Sequence, residues 1–125
     1  MTGVQTCALP ISSRFVHLAD AAISTSGDAF QFVELNGTRY SHIVDPQTGL
    51  GLTRRNSVSI IAPDCTTADA LATAICVMGP ARGIELIDKL PNTAALIVLV
   101  TDDGVKTHES RDFTRLTREK PAAPR

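Results

Sequence analysis

Apolar positions along this chain fall into short blocks and two longer runs. Blocks at residues 15–18, 21–24, 30–35, 38–44, 57–62, 94–100 and 105–109 have strand length, and turn residues separate them. Asn36-Gly37, between the third and fourth blocks, is a strong type I′ hairpin signal. On the returning strand, alternation puts Tyr40 and His42 on one face and Arg39, Ser41 and Ile43 on the other. Asp45-Pro46-Gln47-Thr48-Gly49 then reads as a turn, with Asp-Pro to start it and Gly free to take positive φ at its end. Ser24-Thr25-Ser26-Gly27-Asp28 reads as a small polar turn after the second block.

The two longer runs predict helices. Residues 66–79, TTADALATAICVMG, put Ala, Leu, Ile, Val and Met on nearly every face, so this helix is expected to be buried all round. Gly79 and Pro80 stop it. Residues 81–90 form a second helix with Ile84, Ile87 and Leu90 on one side, ended by Pro91. The block at 94–100, AALIVLV, is the natural central strand, and Asp103-Gly104 turns it into 105–109. This order predicts an α+β fold, a mostly antiparallel sheet packed by two consecutive helices. Residues 110–125, mixed in charge, are expected to be a surface or disordered tail.

Inside the first helix sit Asp69 and Thr73, spaced i, i+4 and therefore one above the other on one face. A carboxylate there needs compensation. One solution is a capping box, with Thr66 as N-cap and Asp69 as N3, and Thr73 returning its hydroxyl to the Asp69 carbonyl. The other is a hard cation, because a carboxylate and a hydroxyl one turn apart can share Mg²⁺, which prefers oxygen and keeps waters or phosphate in its shell. His42 on an alternating strand reads, without further context, more often as a hydrogen-bonded structural histidine than as a site residue. Arg54 and Arg55 could touch phosphate or be ordinary surface arginines.

At 125 residues the chain makes at most one domain, and 43% hydrophobic with 20% charged residues is a globular balance. A formal net charge of −1 with no basic stripe argues against nucleic acid as a partner. No apolar run is long enough to cross a membrane. Cys7, Cys65 and Cys76 have neither zinc spacing nor a disulfide framework. Residues 1–12, MTGVQTCALPIS, match the translation of a common sequencing-library adapter and lack the pattern of a signal peptide. They are expected to be an assembly artefact with no reason to pack on the domain, the natural protein extending upstream of Ser13.

Three motifs in order carry a resemblance: STSGD at 24–28, HIVDPQTG at 42–49 and ADALAT at 68–73. Together, over roughly residues 21–104, they resemble the ApbE family of FAD:protein FMN transferases. The resemblance implies part of a larger ApbE-like fold and a Mg²⁺-dependent enzyme. Such an enzyme cleaves FAD, places FMN on a Thr or Ser of a target flavoprotein and releases AMP. By position, Asp69 and Thr73 match the family's metal ligands. His42 matches the histidine of its H-x-x-D-P motif in the flavin site, and Asp45, Pro46, Thr48 and Gly49 match the turn that shapes that site. Ala29 stands where the family often has an aromatic residue, and Leu50-Gly51-Leu52 where it often has an aromatic and a proline. The family's remaining metal ligand and most adenine contacts come from its N-terminal part, so this chain carries about a third of the parent enzyme. Family members typically face the periplasm or are membrane-attached lipoproteins. A flavin-binding or FAD-hydrolysing protein, or a non-catalytic fragment that keeps only the fold core, are the other functions compatible with these residues.

Overall fold

The computed structural model describes residues 5–9, 12–28 and 31–117. Its centre is a four-stranded antiparallel sheet in the order β3-β6-β7-β8, formed by Ala22–Gly27, Arg55–Ala62, Ala94–Thr101 and Gly104–Glu109. β7 lies inside this sheet, as its continuous apolar run predicts. Residues alternate between the two faces. Val58, Ile60 and Ala62 of β6 join Ala95 and Ile97 of β7 under the helices α1 (Cys65–Met78) and α2 (Pro80–Ile87). Ile61, Ala94, Leu96 and Val98 face the other way. There Val16 and Leu18 of β2 (Ser12–Leu18) and Phe113 of α3 (Phe113–Thr117) cover them. The fold is α+β with an antiparallel sheet and two consecutive helices packed on it.

A separate hairpin, β4 (Phe32–Leu35) and β5 (Thr38–Ser41), turns at Asn36-Gly37. Both turn residues have positive φ, 51° and 78°, as a type I′ turn requires. Phe30, expected to begin this strand, lies outside the described residues. Beyond Ser41 the ladder gives way to a loop closed by a bridge between Val44 and Gly51. Gly51 passes so close to the Ser41 carbonyl oxygen that a Cβ would collide with it.

Four expectations are corrected. Ser24, Thr25, Ser26 and Gly27 are not a turn but the last four residues of β3, paired with β6. Tertiary pairing overrides their turn composition, because polar partners exist for them on both faces. The helix at 65–78 is not buried all round: Ala68, Ala72, Ile75 and Cys76 are buried, while Asp69, Ala70, Thr73 and Ala74 are exposed. Residues 110–117 are not a loose tail, since Phe113 is buried and the Ser110 hydroxyl accepts from the Ala95 N–H at 2.8 Å. Residues 118–125 lie outside the described residues. Finally, β1 (Gln5–Leu9) does pack on the domain, through antiparallel pairing with β2. That pairing uses main-chain groups, which any extended segment can offer to an edge strand.

Candidate functional site

α1 begins two residues after Pro63, with Asp64 as its N-cap. The Asp64 carboxylate accepts the Thr67 N–H at 2.8 Å and the Thr67 hydroxyl at 2.9 Å. These two bonds, the backbone one first, hold its pKa below the ordinary 3.8. The expected capping box of Thr66 and Asp69 is therefore absent, and Asp69 is released from any role at the helix end. Thr73 likewise bonds across to the sheet.

Both side chains meet β3. Ser24 Oγ donates to Asp69 Oδ1 at 3.2 Å, and Ser26 Oγ lies 3.2 Å from Thr73 Oγ1. Two residues along a strand rise about 6.7 Å, and four along a helix rise about 6 Å. Consecutive inward positions of β3 therefore line up with consecutive turns of α1. One turn further on, Cys76 Sγ donates to the Ser26 carbonyl at 3.6 Å. Burial pushes the Cys76 thiol up to about 12, against a smaller lowering by Arg54. It is a neutral packing group. On the opposite face of β3, Thr25 Oγ1 bonds Ser59 Oγ at 2.8 Å.

The far end of α1 is fixed as firmly. Arg54 Nη2 donates to the carbonyls of Cys76 and Val77, and Asn56 Nδ2 donates to that of Cys76, at 3.2–3.3 Å. Arg54 is thus a C-terminal cap on the negative end of the helix dipole.

His42, Asp45, Pro46, Thr48 and Gly49 gather in the loop after β5. The backbone N–H of His42 donates to the Gln31 carbonyl, and Nδ1 of its exposed ring lies 3.2 Å from the same oxygen. Asp45 Oδ1 accepts the Gln47 N–H at 2.8 Å, its carbonyl accepts the Gly49 N–H at 2.8 Å, and Thr48 Oγ1 accepts the Leu50 N–H at 3.2 Å. Gly49 has φ 71°. The Asp45 and Thr48 side chains thus hold the turn's own backbone. No direct hydrogen bond among the described residues joins this loop to Asp69 or Thr73. Ile43 shares one buried apolar cluster with Ala68 and Ala72 of α1.

A further element was not visible in the sequence. Asp28, at the end of β3, is buried and faces Arg39 of β5. Arg39 Nη2 donates to the Asp28 carbonyl at 2.6 Å, and its Nε lies 3.4 Å from Asp28 Oδ2, an ion-pair distance without hydrogen-bond alignment. The guanidinium also stacks 3.5 Å from the Phe32 ring centroid. This clamp ties the hairpin to the strand that carries Ser24 and Ser26.

The chemistry of the donor set at the β3–α1 seam is all oxygen: one carboxylate and three hydroxyls. That suits a hard cation rather than zinc or copper. Among the described residues no group of three or more His, Cys, Asp or Glu could hold a metal. Mg²⁺ takes oxygen ligands of this type together with water and phosphate oxygens.

A family model described as the ApbE family matches residues 3–97. The FAD:protein FMN transferase of Vibrio cholerae is 43% identical over 103 residues, covering 80% of this chain and 30% of that protein. The FAD:protein FMN transferase of Haemophilus influenzae is 34% identical over 106 residues, covering 84% of this chain and 30% of that protein. A solved structure of a mutant flavin transferase ApbE from Vibrio cholerae matches with a TM-score of 0.75 and 35% identity. It covers 92% of this chain and 38% of that one. The chain thus spans about 30% of the length of the curated relatives it matches.

Proposed function

The chain belongs to the ApbE family, and from that premise we propose that it supplies part of the active site of a Mg²⁺-dependent FAD:protein FMN transferase. In that reaction the hydroxyl oxygen of an acceptor Thr or Ser bonds to the FMN-side phosphorus of FAD. The bond from that phosphorus to the bridging oxygen breaks, AMP leaves, and the acceptor proton passes to a base. The observation that carries the reading is the exposed Asp69–Thr73 pair, which Asp64 relieves of capping duty.

Asp69 and Thr73 are the residues that would hold Mg²⁺, which when bound neutralises pyrophosphate charge and polarises the phosphorus under attack. The Asp45–Gly49 turn, rigid through its own hydrogen bonds, supplies the wall beside His42. The His42 ring, exposed and held by one main-chain carbonyl, is the group able to take or steady the acceptor proton. Asp28 and Arg39 keep the hairpin carrying His42 against β3.

The test is Asp69→Ala in the full-length protein. Covalent flavin fluorescence on an acceptor protein should fall about 10³-fold or more, with little change in thermal stability because Asp69 is exposed and caps nothing. Retained transfer would return Asp69 to a surface role. AMP and free FMN without labelled acceptor from the wild type would instead make the protein an FAD hydrolase. No Mg²⁺-dependent FAD binding at all would leave only the fold core. By family resemblance the whole protein is expected to face the periplasm or to sit on a membrane as a lipoprotein, which cell fractionation checks.

A further inference from the structure

Ser24 and Ser26 have no part in the function described so far, yet they are the hydrogen-bond partners of Asp69 and Thr73. We propose that these two serines are positioning residues that fix Asp69 and Thr73 in the geometry a divalent cation needs. The proposal rests on the reading of that pair as metal ligands.

The direction of each hydrogen bond decides the matter. An ionised carboxylate only accepts, so the Ser24 hydroxyl must be the donor to Asp69 Oδ1. That holds one oxygen and leaves Oδ2 for the cation. No hydrogen bond to Oδ2 occurs among the described residues. A hydroxyl that ligates a cation gives it a lone pair and keeps its proton. Thr73 can satisfy both demands by donating to Ser26 Oγ, which lies 3.2 Å away and is free to accept. Each serine thus takes up the hydrogen-bonding capacity that the cation does not use.

The serines are themselves fixed. β3 pairs with β6 along its whole length, Ser24 opposite Ile60 and Ser26 opposite Val58, both fully buried. The Ser26 carbonyl is also tied to α1 through Cys76 Sγ. Gly27, the next residue, sits so close to β6 that a Cβ would approach the Asn56 carbonyl oxygen at 2.7 Å. Hydrogen bonds open to water add little to folding stability. Four hydroxyl and carboxyl groups in register across 45 and 47 residues of chain are therefore better accounted for by a ligand than by stability. Partners that orient a metal ligand are typically worth about 10- to 100-fold in metal affinity.

The experiment titrates Mn²⁺ into the full-length protein with FAD and no acceptor, following the EPR signal of the free ion, beside a thermal melt of each variant. Ser24→Ala and Ser26→Ala should each weaken Mn²⁺ binding about 10-fold or more, with melting temperatures near wild type. Ser24→Thr, which keeps the hydroxyl, should restore most of the affinity. Thr25→Ala, on the other face of β3, should leave it unchanged. If Asp69→Ala abolishes Mn²⁺ binding while both serine variants stay within about twofold of wild type, the positioning role is overturned and the metal reading stands. If Asp69→Ala itself binds Mn²⁺ normally, both are overturned.

Discussion

The β3–α1 seam and the hairpin that leads to His42 are built on different supports. Asp69 and Thr73 project from a helix of 14 residues, capped at both ends by side chains and laid on a sheet whose Val58, Ile60 and Ala62 are fully buried. His42 follows a four-residue strand in a two-stranded hairpin. Phe32, Val33 and Leu35 of β4 and Val44 and Leu50 of the loop are exposed there. The Arg39–Asp28 clamp, the buried Ile43 side chain and Leu52, bonded through its backbone to Ser41 and Ile43, moor it to the rest. One half of the candidate site is thus organised by packing within this chain. The other half leans on the Arg39–Asp28 ion pair and hydrogen bond and on a few apolar contacts around Ile43, which is the lower end of the range of local stability.

Among changes that probe the weakly supported half, the largest effect should come from the chemistry it carries. His42→Ala in the full-length enzyme should slow FMN transfer about 10²–10⁴-fold, the usual worth of acid–base assistance, with Mg²⁺-dependent FAD binding nearly intact. Stopped-flow or gel fluorescence of the labelled acceptor separates the two. Equal losses in rate and binding would make His42 a positioning residue, and unchanged transfer would make it structural. Next in size, Arg39→Ala should destabilise the chain by about 3 kcal/mol, because Asp28 is left buried without its charge partner. Hydrogen exchange should show the loss first in β4 and β5. Uniform acceleration across β6 and β7 would mean that the hairpin is no weaker than the sheet.

The smallest effect belongs to Asp64. Asp64→Ala should lower the melting temperature slightly and leave Mn²⁺ affinity alone, because the cap and the ligand are different carboxylates. Its folded pKa is held below 3.8, so the ionised form is favoured by folding. The cap's contribution is present above the unfolded value and lost as pH falls through the folded one. The melting difference between wild type and variant should therefore be constant near neutrality and close below about pH 4. A difference that grew on acidification would contradict the cap.

Local chemistry was legible in the sequence and distant pairing was not. Asn36-Gly37 and Asp45-Pro46-Gln47-Thr48-Gly49 announce their turns because the residues that set φ are the turn itself. The helix at 65–78 was also plain, but its many alanines misled on burial. Alanine favours helices wherever it sits, and Ala70 and Ala74 face solvent. The cap was misplaced because Asp64 and Thr66 both carry cap chemistry, and only the first helical hydrogen bond chooses between them. Ser24 and Ser26 looked like a turn by composition, since their partners lie 45 and 47 residues away. Arg54 was equally silent, its role appearing only when the end of α1 reaches it. Alternation did place Arg39 with Ser41 and Ile43, but nothing local named Asp28 as its partner.

The seam also behaves as a vernier. A strand advances about 6.7 Å per inward residue pair and a helix about 6 Å per four residues, so their divisions coincide over two marks and then drift apart. The residues flanking the coincidence are Ala22 and Asp28 on one scale and Cys65 and Val77 on the other. Sliding either scale by one division would set Ala22 or Asp28 against the helix pair, or Cys65 or Val77 against the serines, and lose one of the two hydroxyl matches. A structure assembled from incommensurate periods has a single setting at which its polar marks agree, and it can hold that setting without any bond that crosses from one scale to the other covalently.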